Sequence, residues 1–373
     1  KVNKNTLSIK SKIFKICFKA IFDTEFIFQQ MKIVHLSLLA LSLNLLAQKA
    51  DFTSVDTYAR NLPKSEARSV SMLAKSLTKN AKTDAEKVRA FYVWIAANIS
   101  YDFGAYRSGN VPDQSADKIF MSKKAVCQGY SELFYQLCKL NNIDCAVIAG
   151  YSKGFGYKPG KKFLQTDHAW NAVKIDNKWY LLDATWGSGY INENSDYVSF
   201  FTEEHYLTDP RNFIIKHLPA DPMWQLFPAA ISIRTFEKDS TAIKAALQAK
   251  PDLETINYLD SLKTWEKLDS VGRLVNSSLR IVRYNPDNSD AWYKLGWFYF
   301  QQAWEKMSKL NDPAIQRNKS LARPLAQEAI YLQKEALKYL NEVNKRDPFY
   351  ADDVKQKKDI IAQNMKSLEQ IAK

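Results

Sequence analysis

The chain of 373 residues predicts an α+β fold: a helix headed by a cysteine and an antiparallel hairpin in its middle, followed by an all-α C-terminal domain. Three observations predict it. After Cys127, apolar residues fall at Tyr130, Leu133, Phe134, Leu137 and Leu140, the spacing of an amphipathic helix. Between 168 and 186, two strand-like runs flank Asp176-Asn177, a two-residue turn signal. Beyond Pro228 glycine becomes scarce, Lys, Leu, Ala and Gln dominate, and a 3.6-residue period takes over.

Taken in order, the chain first presents a leader. Met31-Lys32 opens a segment whose core, Ile33 to Leu46, is almost wholly apolar and ends Leu45-Leu46-Ala47-Gln48. A basic start, an apolar run and a small residue at its end read as a signal peptide over 31–47, cleaved after Ala47. The run is shorter than the roughly 20 residues of a spanning helix, so no transmembrane segment is expected after cleavage. Residues 1–30 read as an upstream non-native extension, and no Cys follows the apolar run to carry a lipid. The expectation is an exported protein, in a bacterial periplasm or beyond.

Export changes the charge and cysteine balance. Seven Lys and two acidic residues in 1–47 carry +5 of the formal +13, leaving a moderately basic +8 with both signs interspersed. That balance does not argue for nucleic acid; peptides, acidic glycans or an anionic membrane face fit equally well. Cys17 falls outside the mature chain, leaving Cys127, Cys138 and Cys145. In an oxidising compartment Cys138 and Cys145 could pair across Asn141-Asn142; two buried thiols are the alternative.

Residues 48–98 read as a helical lead-in, with Glu86 to Phe91 running into Trp94-Ile95. The core from 99 to 228 carries the candidate chemistry. Cys127, His168 and Asp183, spaced by 41 and 15 residues, are the parts of a thiol nucleophile with its base and orienter. A thiol at a helix N-terminus meets the positive end of the macrodipole, which favours the thiolate. A two-residue loop at 176–177 sets Ile175 against Lys178 and Trp170 against Asp183. His168 is then diagonal to Asp183 on one face, about 7–8 Å apart at the backbone and within side-chain reach. A three-residue loop would turn one of the two away. Each residue also has a plainer reading: a small buried Cys, a strand histidine, and an Asp that caps a turn.

Several blocks in this region resemble the transglutaminase-like cysteine superfamily, which is related to papain. They are Trp94 to Asp102, Val126-Cys127-Gln128-Gly129-Tyr130, His168-Ala169-Trp170-Asn171, Trp179-Tyr180 and Asp183-Ala184-Thr185-Trp186-Gly187. Tyr206 to Pro210, His217-Leu218-Pro219 and Trp224-Gln225-Leu226 continue the match. The branch it resembles holds the kyphoscoliosis peptidase and a yeast cytokinesis protein. The resemblance implies a papain/transglutaminase-like core, with the nucleophile helix packed on an antiparallel sheet. It implies acyl transfer from an amide or peptide carbonyl through Cys127, with His168 as base and then acid and Asp183 as orienter. The Cys127 backbone N–H is a natural oxyanion donor. One departure is Ala125, where the family often carries Gly.

Tyr101, Asp102, Gln128, Trp170 and Trp186 are candidate cleft or substrate-contact residues. His205 and His217 read as packing or loop contacts. No metal or other cofactor is expected: there is no C-x-x-C, no H-E-x-x-H, and only four His in the chain. The glycines at 150, 154, 156 and 160 read as a mobile loop at the cleft edge, a candidate lid.

From 229 to 373 the chain reads as helical. Asn285 to Trp292, then Leu295-Gly296 and Tyr299, resembles the first helix of a tetratricopeptide repeat; Ala336 to Pro348 resembles a second repeat helix and its stop. Such a domain implies a protein or peptide partner; a plain helical bundle is the alternative. Two functional classes follow. One is a secreted cysteine acyl-transfer enzyme (protease, amidase or transglutaminase type) acting on peptide, protein or cell-wall amides. The other is an inactive peptide- or protein-binding scaffold using the same cleft.

Overall fold

A capping box starts the helix Asp84–Asn98: Thr83 Oγ1 accepts from the Glu86 N–H at 3.2 Å, and the Glu86 carboxylate accepts from the Thr83 N–H at 3.0 Å. All nine residues from Val88 to Ala96 are buried, so this helix is enclosed by the fold rather than lying on it. Even Arg89 is buried, its guanidinium forked between Asp56 and Glu203. The computed structural model describes residues 51–249, 257–344, 347 and 349–373. The predicted leader, the upstream extension and Pro348 lie outside the described residues.

Two sheets position the site. β1 (Ser100–Tyr101) runs parallel to β2 (Lys124–Ala125), setting Tyr101 against Ala125, two residues before Cys127. The main sheet is antiparallel in the order β5–β4–β3–β8, from β3 (Cys145–Ser152), β4 (His168–Ile175), β5 (Lys178–Leu182) and β8 (His217–Pro219). A small pair, β6 (Gly189–Ile191) and β7 (Tyr197–Ser199), stands apart from it. The β4–β5 turn has two residues, Asp176 and Asn177, both left-handed with φ of 49° and 62°. That is the backbone of a type I′ hairpin, and Ile175 faces Lys178 as the sequence predicts.

The helix Cys127–Leu140 lies against this sheet. Tyr130, Leu133, Phe134 and Leu137 are fully buried, joined by Phe91 and Ile95 on one side and Val173, Ile175 and Leu182 on the other. Leu140, expected on the same stripe, is 42% exposed, because the helix ends there and the chain turns through Asn141-Asn142. The opposite sheet face is covered as well. Ile148, Trp170 and Leu181 pack with Phe213, Met223, Trp224 and Leu262. β4 is therefore enclosed on both faces, which explains its unbroken buried run His168–Val173. Gly150, predicted within a loop, belongs to β3; a Cβ there would fall 2.3 Å from the Trp170 ring.

Beyond 228 the described chain is helical. Ser270–Tyr284 docks through Arg280, which pairs with Asp221 at 2.8 Å, and Tyr151 Oη accepts from Asn285 and Asn288 at 2.9 and 2.8 Å. Ser289–Lys309, Lys319–Glu342 and Ala351–Ala372 follow, with 21, 24 and 22 residues. The helix expected to begin at Ala336 is the last seven residues of Lys319–Glu342; an apolar stripe of Ala322, Ala326, Ala329 and Ala336 keeps it continuous. A Cβ on Gly296 would come within 2.6 Å of Leu340, so the glycine lets these two long helices approach closely. Among the described residues, no helix is long and apolar enough to cross a membrane.

Candidate active site

Cys127 is the first residue of its helix, after Val126 in extended conformation. The loop that delivers it is tied to Gln114: Oε1 accepts from the Val126 N–H at 3.0 Å, and Nε2 donates to the Pro112 carbonyl at 2.9 Å. The packing here dictates a glycine two residues on. A Cβ at Gly129 would lie 2.5 Å from Gln114 Oε1 and 2.9 Å from the Ala125 Cβ. Ala125, the departure noted in the sequence, is thus part of what makes this turn tight.

Asp183 follows β5 and leaves the strand. Its Oδ1 accepts from the backbone N–H of Thr185 at 2.8 Å and of Trp186 at 3.1 Å, capping the short helix Ala184–Ser188. The predicted strand through Trp186 is corrected here: the carboxylate gathers the next two N–H groups into a helical turn. Oδ2 is left for side chains. It accepts from His168 Nε2 at 2.7 Å and from His217 Nε2 at 3.0 Å. The Asp183 N–H donates to the His205 carbonyl at 2.9 Å, which holds the backbone too.

The diagonal predicted from the hairpin register is therefore realised as a direct contact between His168 and Asp183. Because His168 commits Nε2 to the carboxylate, Nδ1 is the ring nitrogen left for Cys127. Burial by itself would raise the Asp183 pKa, yet the two imidazoles hold its carboxyl well below the usual range. Burial also opposes a charged His168; the charge and hydrogen bond of Asp183, helped by the sulfur of Cys127 as a second acceptor, push it up to about 10. At His217 burial wins over Asp183, and the pKa falls to about 4. One enclosed carboxylate supports one imidazolium, not two.

Three ligand-type atoms, from His168, Asp183 and His217, lie within 4.8 Å of one another, a grouping that no sequence motif of this chain signals. Zinc would need each donor at about 2.0–2.2 Å from the ion and both imidazole nitrogens bare. Instead both Nε2 atoms lie at hydrogen-bond distance, 2.7 and 3.0 Å, from one oxygen. The distances are those of a hydrogen-bonded cluster. Beside it opens a cavity of about 440 Å³, whose walls include His168, Trp186, Tyr101, Phe103, Tyr106 and Phe155. Cys127 is a free, partly buried cysteine and is not among the residues that line this cavity.

Residues 71–184 match the profile of the transglutaminase-like superfamily. The chain carries a transglutaminase-like domain. Human kyphoscoliosis peptidase is 35% identical over 235 residues, covering 61% of this chain and 35% of that protein. The Lim and transglutaminase domain protein ltd-1 of Caenorhabditis elegans is 29% identical, covering 50% of this chain and 27% of its own length. Cytokinesis protein 3 of Schizosaccharomyces pombe is 24% identical, covering 49% and 21%. The chain thus spans a third or less of most of these relatives. All three share the branch that the sequence blocks resemble.

Within the transglutaminase-like domain the predicted residues separate into groups. Tyr101 and Trp186 line the cavity, and the Trp186 ring lies 4.3 Å from His217 and 5.3 Å from His168, centre to centre. Trp170 does not line it: the ring is fully buried between Phe213 and His217, because β4 has a covered second face. Asp102 caps the helix Phe103–Ser108 through the Ala105 N–H at 3.0 Å and pairs with Lys124 at 3.1 Å. Gln128 points to solvent, outside the cavity lining, since the next residue faces the Gln114 contact. Cys138 and Cys145 are free, buried thiols.

Gly154, Gly156 and Gly160 do fall in the segment between β3 and β4, where Gly154 and Phe155 border the cavity. His217 was missed. It reads as packing from sequence because it lies 34 residues from Asp183 on a strand too short to show alternation. Its position in the His-Leu-Pro block was the available signal.

Proposed function

We propose that the chain is a cysteine-dependent acyl-transfer enzyme acting on amide or peptide bonds, with Cys127 as nucleophile, His168 as base and acid, and Asp183 as orienter. The observation that carries this reading is the 2.7 Å contact from His168 Nε2 to the enclosed Asp183 carboxylate, which leaves Nδ1 for the thiol. In the first step Cys127 Sγ attacks the carbonyl carbon while its proton resides on His168. The carbonyl oxygen becomes an oxyanion beside the Cys127 backbone N–H. The intermediate collapses as His168 gives its proton to the leaving amine, and a thioester remains on Cys127. Water or a second amine then attacks the thioester, His168 takes the incoming proton, and the acyl group leaves as acid or new amide.

The test is turnover of a peptide library, wild type beside Cys127→Ala and His168→Ala. Loss of every product in both variants is the expected result; equal turnover in Cys127→Ala ends the reading. One observation favours a second reading, a binding module without turnover: Phe155, Tyr190 and Phe200 at the cleft are 56, 55 and 61% exposed. Peptide binding to a Cys127→Ala chain, with no product from the wild type, would select it.

Export under the 31–47 leader belongs to the same proposal, supported by the basic start, apolar run and small residue at its end. N-terminal sequencing of the expressed protein tests it, with Gln48 as the expected first residue. The long helices beyond 288 are proposed as a tetratricopeptide-like arm for a protein or peptide partner, supported by the Trp292, Leu295-Gly296 and Tyr299 spacing. Pull-down with and without residues 289–373 tests that part.

A further inference from the structure

His217 comes from β8, at the edge of the sheet opposite β5, yet its Nε2 reaches the same Asp183 oxygen that serves His168. The residue is 1% exposed. Its ring is fixed on three sides by aromatic rings: Phe213 stacks at 4.2 Å, Trp186 lies at 4.3 Å, and Trp170 presents an edge at 5.2 Å. With Thr185 and Trp186 on the other oxygen, Asp183 accepts four hydrogen bonds, as many as a carboxylate has lone-pair sites.

We propose that His217 is a positioning residue for the reaction: its Nε2–H holds Asp183 so that the carboxylate can neither rotate nor accept elsewhere, and His168 is kept aimed at Cys127. The inference rests on the acyl-transfer reading above and adds a fourth member to its hydrogen-bonded chain.

The protonation of His217 decides whether this works. To donate to a carboxylate it must carry hydrogen on Nε2, and as a neutral ring it has a bare Nδ1. The ionisable groups around it are Asp183 after β5, His168 on β4 at 5.5 Å between ring centres, and His205 from the preceding loop at 5.8 Å. Glu204 and Lys216 flank His205 and His217 in the chain. Only Asp183 offers a buried negative charge, and it is shared with His168. A second imidazolium would face the first across that one carboxylate. Burial therefore keeps His217 neutral, in line with its lowered pKa. The arrangement gives Asp183 a donor without a competing charge, so the full carboxylate charge remains to stabilise the imidazolium of His168.

Iodoacetamide labelling of Cys127 between pH 5 and 9 tests this without knowing the substrate. Wild type is compared with His217→Phe, which fills the aromatic box but cannot donate, and His217→Gln, which donates from a similar reach. If His217 positions the chain, His217→Phe labels about tenfold more slowly at pH 6–7, and His217→Gln stays within about threefold of wild type. A folded His217→Phe with the wild-type profile overturns the proposal.

Selective 15N-histidine spectra of the wild-type chain supply a second measurement that needs no folded variant. They should show His217 as a neutral Nε2–H ring at pH 6; an imidazolium, or a proton on Nδ1, overturns it. Absence of peptide turnover alone would remove the acyl-transfer reading while leaving both of these measurements to decide the role of His217.

Discussion

Gln114 accepts the backbone N–H of Val126 at 3.0 Å, one residue before the thiol. A side chain twelve positions upstream thereby sets the entry of the chain into the Cys127 helix. Gln114→Ala would leave that N–H enclosed without a partner, a cost of about 1–3 kcal/mol. Urea unfolding should show the loss, and Cys127 labelling should slow with it. A variant equal to wild type in both measurements would show that the loop is held by other contacts.

Gly129→Ala is expected to destabilise by a different mechanism, crowding. The new methyl would meet Gln114 Oε1 at 2.5 Å, Ile119 Cγ1 at 2.8 Å and Ala125 Cβ at 2.9 Å. Overpacking of this kind costs about 1–3 kcal/mol. Adding Ala125→Gly to that variant removes one of the three contacts and should recover part of the thermal midpoint. No recovery would mean that Ala125 does not crowd the turn.

Asp183 serves structure with Oδ1 and the imidazoles with Oδ2, and two substitutions separate those tasks. Asp183→Asn can still cap Ala184–Ser188 through its amide oxygen, so it should fold while turnover falls by about 10⁴-fold. Asp183→Ala loses the cap as well and should be less stable by a further 0.5–2 kcal/mol, about the value of an N-cap. Calorimetry beside peptide turnover checks both. An Asn variant with near-wild-type turnover would remove Asp183 from the reaction.

The pH dependence of stability follows from the two histidines. His217, lowered to about 4, takes up protons more readily when unfolded, so stability falls as pH drops from about 6.5 towards 4. His168, raised to about 10, holds its proton more tightly when folded, so its contribution is complete below about 6.5 and fades as pH rises towards 10. Asp183, held below the usual range, adds a further loss at pH below about 3.9. Urea midpoints should peak near pH 6.5. His217→Gln should flatten the acid side alone; an unchanged acid side would assign that limb to other groups.

Much of the site was legible because it is local. The Cys127 helix announces itself by apolar spacing, and the β4–β5 register follows from a turn of two residues, so His168 and Asp183 could be brought together from the sequence. The misses have physical causes. Asp183 ends its strand because a carboxylate beside free N–H groups competes with sheet pairing, which a propensity count over Lys178–Trp186 does not register. Trp170 was assigned to the cleft because alternation says which residues share a face, not what covers that face. The cover comes from Phe213 and Trp224, over forty residues later. His217 shares that cause, since a long-range contact leaves no local period.

The left-handed pair Asp176-Asn177 has a consequence for how this chain can vary. Inserting or deleting a single residue there would put β4 and β5 out of phase, sending either the imidazole or the carboxylate to the wrong side while every reacting group stayed in the sequence. Length, at that hairpin, is as much a part of the chemistry as residue identity. The exposed stretch from 158 to 162, between strands already paired through Gly150 and His168, is under no such register restriction.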